Sequence, residues 1–199
     1  PGERPAPRPI QKIANLLHPK SIGIIGVSSK RRNFGRIILE NIIDSGFDRD
    51  KLVIIRDGEN DASGVRCVPN LRALPDPLDL FIVAIGAEQV PPLVDEIIEN
   101  NAAHSVMLIP GGLGETEESR EMTEHMIARI TEAHKNLAAG GDGGPAFLGA
   151  NCMGVISRPG KFDTWFIPAA KMPDYKQYPR RRTACLLYTS PSPRDKRQS

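Results

Sequence analysis

The stretch Ile22 to Gly35, IGIIGVSSKRRNFG, sets an aliphatic run directly before a loop of small residues and three consecutive cations, Lys30, Arg31 and Arg32. A buried strand that breaks into such a loop and then opens a helix suits a phosphate, because free backbone N–H groups and the positive end of the helix dipole converge there. The dinucleotide fingerprint G-x-G-x-x-G is absent, since Gly26 is followed by Val27, Ser28 and Ser29 and the next glycine is Gly35. The loop therefore reads as a phosphate cradle of another kind. Lys30 is favoured as a ligand in it, while for Arg31 and Arg32 a solvated surface turn is an equal reading.

Other residues able to do chemistry are sparse. Asp57 follows a second apolar run, where an acidic residue in NAD-binding domains accepts a ribose hydroxyl, which feeds a rival reading as an NAD(P)-binding oxidoreductase domain. The missing fingerprint and the lack of any hydride-transfer constellation weigh against that reading. Cys152 lies in a GANCMG turn, but no activating histidine is in view, and a small buried residue is the expected role. His104 reads as a core or edge histidine, and His18, His125 and His134 read as surface residues. No catalytic residue and no metal ligand is assigned, because the three cysteines, Cys67, Cys152 and Cys185, have no paired or metal-like spacing.

The elements that must position the loop alternate between two periods. Ser21 to Val27 reads as a strand, followed by a helix over Phe34 to Ser45 that Gly46 ends. Lys51 to Ile55 is a second strand, and Leu78 to Ile85, almost continuously apolar, suits a third strand covered on both faces. Val90, Leu93, Val94, Ile97 and Ile98 fall on one helical stripe. Ser105 to Ile109 is a fourth strand, and Thr116 to Lys135 a helix expected to bury Met122, Met126, Ile127 and Ile130. Phe147 and Leu148 mark a fifth strand after a flexible connector, Ala138 to Pro145. Alternation with right-handed crossovers gives an α/β fold, a Rossmann-like doubly wound parallel sheet with its ligand over the carboxyl ends of the strands.

With 199 residues, 40% hydrophobic and 25% charged, the chain has material for one ordinary domain plus appendages. The net charge is +2, and setting aside Cys185 to Ser199 leaves 23 basic and 23 acidic residues, so a nucleic-acid surface is not expected. No apolar run approaches a membrane span, and the few cysteines suit a reducing, cytoplasmic setting. Residues 1–12 read as a proline-rich linker. At the other end, CLLYTSPSPRD, Cys185 to Asp195, is residue for residue a reading frame of the adapter used in transposase-based library preparation. Residues 185–199 are therefore expected not to be natural protein, and the natural sequence to stop near Ala184.

LLHPKSIGIIGVSSK, LPDPLDLFIVAI, MLIPGGLGE and GANCMG, in this order and spacing, resemble the CoA-binding domain of NDP-forming acyl-CoA synthetases, the acetate–CoA ligase and succinyl-CoA synthetase alpha-subunit superfamily. The resemblance implies that a domain over residues 13–157 binds coenzyme A. Its first loop, Gly26, Ser28, Ser29, Lys30 and Gly35, would hold CoA phosphates. Gly86 and Ala87, with Pro110, Gly111 and Gly112, would line the nucleotide and pantetheine, and Asn151 with Cys152 would lie near the thiol end. A pyrophosphate and a 3′-phosphate suit the charge of that first loop. Two departures stand out: IIRDGEN replaces the family's V-N-P after strand two, and Ala150 replaces the proline of G-P-N-C.

By the same resemblance, residues 158–184 are a linker toward a second α/β domain bearing a phosphohistidine, and ATP and magnesium act only through that domain and an ATP-grasp domain or subunit. The chain is expected to be inactive in the absence of those parts. Trp165 and Phe166 would pack against the second domain or cap the core already present. A further alternative is a non-catalytic module that senses an acyl-CoA.

Overall fold

The computed structural model describes residues 9–58, 61–138 and 143–167. The expected tail at 185–199, most of the expected linker at 158–184 and the middle of the glycine-rich connector lie outside the described residues. Those that remain, up to Phe166, belong to one compact unit.

The elements follow in the order α1 (Ile10–Asn15), β1 (Ile22–Ile25), α2 (Phe34–Asp44), β2 (Leu52–Ile55), β3 (Asp61–Ala62), β4 (Val65–Val68), β5 (Leu78–Val83), α3 (Val90–Glu99), β6 (Ala103–Leu108), α4 (Glu117–Ala138), β7 (Ala146–Leu148), β8 (Ile156–Ser157) and β9 (Phe162–Asp163). Seven strands form one sheet in the order β3-β4-β2-β1-β5-β6-β7, parallel throughout except for the β3–β4 hairpin. This is the Rossmann-like, doubly wound α/β architecture. The chain leaves β1 toward β2 on one side and returns to β5 on the other, so the switch in direction falls between β1 and β5.

Burial explains the continuous apolar runs. All four residues of β2 are buried, and so are five of the six in β5 and in β6, because helices cover both faces of the sheet. On one face Val53, Phe81, Val83 and Val106 pack with Val90, Val94 and Ile97 of α3 and Met126 of α4. On the other, Ile24, Ile54 and Ile82 pack with Ile38, Leu39 and Ile42 of α2 and with Phe162 of β9. Pro91 and Pro92 stand in the first turn of α3, where a missing N–H leaves no helical bond unmade.

Two expectations need correction. The hairpin β3–β4 was not anticipated; β4 adds to β2 with Ile54 opposite Cys67, so Leu78–Val83 is the fifth strand in chain order rather than the third. The strand signal there was diluted by charge, with Asp61 and Arg66 paired across an exposed turn. Met122 and Ile127 are 41% and 54% exposed rather than buried, because α4 meets the rest of the core through the narrower stripe of Met126 and Ile130. Before the expected domain start, Ile10 already begins α1, and the Lys12 carbonyl accepts a bond from Ser105 Oγ. Beyond the expected boundary at Ser157, Phe162 and Thr164 are buried in the same unit.

A test of this packing compares two apolar positions. Phe81→Ala, in the centre of β5, lowers unfolding free energy in urea titrations by about 3–5 kcal/mol. Ile127→Ala, on the exposed side of α4, changes it by no more than about 0.5 kcal/mol.

Candidate functional site

The loop after β1 is built around the Gly26 carbonyl. Gly26 has φ +96°, a conformation that side chains rarely adopt, and a Cβ there would run into the backbone oxygen of Ala84 at the end of β5. Gly35, in the first turn of α2, is buried against the same place, and its Cβ would sit 2.5 Å from the Gly26 oxygen and 3.0 Å from the Val27 nitrogen. These two glycines let the helix start press directly on the strand end. Asn33 locks the arrangement: its Nδ2 donates to the Gly26 carbonyl at 2.7 Å, and its Oδ1 accepts from the amides of Arg36 at 3.0 Å and Ser28 at 3.3 Å. It is the N-cap of α2, with the extended backbone that role requires.

Ser28 Oγ accepts from the backbone amides of Lys30 and Arg31, both at 3.3 Å, so this hydroxyl shapes its own turn. Ser29 Oγ accepts from Arg56 Nη2 at 2.6 Å, which brings a cation from the end of β2 over the loop. Arg32 and Arg36 both reach Glu40, at 3.3 and 3.2 Å, whereas the side chains of Lys30 and Arg31 are exposed at the loop tip.

Across the switch point lie the loops after β5, β6 and β7. Gly86 precedes a single 3-10 turn, Ala87–Gln89, that leads into α3. After β6, Gly112 has φ +86°, and its amide donates to Glu115 Oε1 at 3.2 Å. Gly111 faces Asn151, whose Oδ1 would lie 3.0 Å from a Cβ on Gly111. The Asn151 amide donates to the Pro110 carbonyl at 2.8 Å, and Asn151 itself has φ +54°, a conformation asparagine tolerates better than most residues. The loops after β6 and β7 are thus one joined wall.

Cys152 Sγ donates to the Leu108 carbonyl at 3.3 Å, and burial raises its thiol pKa above the ordinary value, outweighing backbone hydrogen bonds that act the other way. Both facts suit a neutral packing thiol rather than a nucleophile. Asp57 bonds the amide of Gly58 at 2.8 Å, so its carboxylate is engaged in its own turn.

Of the twelve residues expected to contact a ligand, ten stand on the loops that follow the carboxyl ends of β1, β5, β6 and β7, while Gly35 lies in the first turn of α2 and Ala87 opens the 3-10 turn before α3. Residues that sequence reasoning passed over complete the site. Asn33 carried a readable signal, an asparagine directly before an apolar helical stripe. Arg56 carried none, because only the β1–β2 pairing brings it to Ser29. Thr164, fully buried, donates to the Val155 carbonyl at 3.1 Å, accepts from the Val155 amide at 2.7 Å and so holds the segment after the β7 loop.

A family model described as a CoA binding domain matches residues 20–158, which include all of these loops. The chain belongs to this family of CoA-binding domains. Among relatives of the domain, the alpha subunit of ADP-forming acetate–CoA ligase I from Pyrococcus furiosus is 27% identical over 161 residues, covering 79% of this chain and 33% of that subunit. The ADP-forming acetate–CoA ligase II of Archaeoglobus fulgidus is 26% identical over 157 residues, covering 79% of this chain and 22% of that enzyme. In fold, the domain is similar to the dinucleotide forming acetyl-coenzyme A synthetase 1 of Ca. Korarchaeum cryptofilum, solved with phosphate and ADP. The TM-score is 0.66 at 22% identity, over 78% of this chain and 31% of that one. The chain spans a third or less of the length of these relatives. Among the described residues, no helix is long and apolar enough to cross a membrane and no cluster of side chains could hold a metal ion.

The state of Cys152 can be checked by alkylation. A raised thiol pKa means that the reactive thiolate is scarce at pH 7 and accumulates only at higher pH. In a Cys185→Ser variant of the full chain, with Cys67 buried, the iodoacetamide rate at Cys152 has its midpoint above about pH 8.5, the value of an ordinary thiol.

Proposed function

We propose that this chain binds coenzyme A across the switch point and is the CoA-binding part of an NDP-forming acyl-CoA synthetase. The observation that carries the reading is the loop after β1. Gly26 and Gly35 bring a capped helix start against the strand end, and Lys30, Arg31 and Arg56 surround it with positive charge, without the dinucleotide fingerprint. Phosphates of CoA would meet Ser28, Ser29 and Lys30, where the helix dipole and the cations favour anions. The pantetheine arm would run past Gly86, Ala87, Pro110, Gly111 and Gly112, whose missing or small side chains allow an approach to the main chain. The thiol would end near Asn151 and Cys152.

In such a synthetase, acyl-CoA and phosphate give acyl phosphate and free CoA, a histidine takes the phosphoryl group, and a nucleoside diphosphate receives it. This domain would supply the CoA end. The histidine, the nucleotide and its magnesium would belong to a second α/β domain and an ATP-grasp domain or subunit, the partners of this one. The relatives named as ADP-forming acetate–CoA ligases support this assignment over an oxidoreductase or a sensing module.

Isothermal calorimetry on the 199-residue chain distinguishes the readings. CoA binds more tightly than NAD or NADP, and its affinity falls as salt rises, because the loop charges are exposed. Equal or tighter NAD binding overturns the assignment.

A second measurement concerns Gly111. Gly111→Val presses on Asn151 and fills the path beside the main chain, so CoA affinity falls at least about tenfold, or about 1.4 kcal/mol, while Tm drops by only a few degrees. A large loss of Tm with CoA affinity retained means that the glycine serves the turn only.

A further inference from the structure

A cavity of about 310 Å³ opens between the β5–α3 connection and the start of α4, walled by Ala87, Pro91, Leu113, Met122 and Thr123 and floored at one side by Gly112. The phosphate loop does not contribute to its lining. Two of its lining residues, Ala87 and Gly112, are among those the pantetheine arm would run past, and Gly112 follows Gly111, which faces Asn151, so the cavity opens beside the far part of that arm, toward the thiol end. We propose that this cavity receives the acyl group of an acyl-CoA and favours a neutral aromatic acyl group. The inference rests on the CoA-binding reading given above.

The walls are more apolar than their residue names imply. Thr123 Oγ1 donates to the Ser119 carbonyl at 2.7 Å, and Ser119 Oγ donates to the Thr116 carbonyl at 3.1 Å and accepts from the Thr116 amide at 3.1 Å. Their hydroxyls are spent on the first turns of α4, leaving the threonine methyl groups to join Pro91, Leu113 and Met122. The exposure of Met122, an anomaly for a core stripe, is explained by its place on this wall: it waits for an apolar partner that the fold itself does not provide.

Size and charge narrow the occupant. A closed apolar cavity of about 150 Å³ accepts benzene, so this half-open one of about 310 Å³ has room for an aromatic ring together with its linker, and an acetyl group would leave most of it empty. Glu88 lines the cavity, and Glu115 holds the Gly112 amide beside it. Two carboxylates at this end disfavour an acyl group that carries a distal carboxylate of its own.

The test is calorimetry of the full chain with CoA, acetyl-CoA, phenylacetyl-CoA and succinyl-CoA. Phenylacetyl-CoA binds about tenfold more tightly than acetyl-CoA, as burial of one ring predicts, and succinyl-CoA binds more weakly than acetyl-CoA. Met122→Trp, which fills the cavity from a partly exposed position, brings phenylacetyl-CoA down to the acetyl-CoA affinity, and Thr123→Met, from the neighbouring position on α4, does the same. Equal binding of the three thioesters and the free thiol overturns the acyl cavity and leaves the CoA reading standing. Variants that weaken every ligand alike also overturn it. Failure of the folded wild-type chain to bind any of the four overturns both.

Discussion

One carbonyl group organises the carboxyl edge of this sheet. The Gly26 oxygen takes a hydrogen bond from Asn33 and lies where any side chain on Gly35 would have to be, while the Gly26 Cα is pressed against the end of β5. Strand, loop and helix can meet so closely only because neither glycine has a Cβ. The contact fixes where α2 begins, and the rest of α2 follows from it. Ile38, Leu39 and Ile42 are set down on the sheet, Phe162 packs among them, and Asn41 Nδ2 donates to the Trp165 carbonyl at 2.5 Å. The Phe34 ring, on the outer side of the helix start, stands 4.6 Å from that of Phe166. The two aromatic residues after β9 are therefore part of this unit's cap.

The opposite wall of the site depends on a different device. Asn151 adopts the left-handed conformation, gives its amide to Pro110 and lays its side chain beside Gly111, while Cys152 bonds the last carbonyl of β6. The loops after β6 and β7 are consequently positioned by each other rather than by helices. That coupling accounts for the spacing of PGG and GANC in the sequence: each motif supplies half of one turn-on-turn contact.

Much of this was legible before any coordinates. Strands β1, β2, β5 and β6 are largely buried on both faces, so their apolar runs are nearly continuous and easily read, and the stripe of α3 is complete because α3 packs along its whole length. The four glycine-bearing loops were expected to line a ligand site from the resemblance of their motifs, and in a doubly wound sheet every such loop lies at the same edge. What escaped was information carried by neighbours in space. The β3–β4 hairpin has too few residues and too much charge to show a period. Arg56 meets Ser29 only through strand pairing, and Met122 shares a helical face with Met126 yet lies beyond the reach of the core, beside the opening of a cavity.

The ends of the sheet have a consequence for the life of the protein in a crowded solution. A parallel sheet this apolar would be hazardous if a long outer strand offered its free backbone to another chain. Here one margin is closed by β3, two residues, Asp61 and Ala62, running antiparallel, and the other is β7, three residues long and preceded by Pro145, whose carbonyl is bonded to His134 at 2.8 Å. Among the described residues, neither border has the length to template a cross-β partner. The sheet can thus keep its strongly aggregation-prone strands because they are never at the margin, and the short strands there, which add little to the core, act as its gatekeepers.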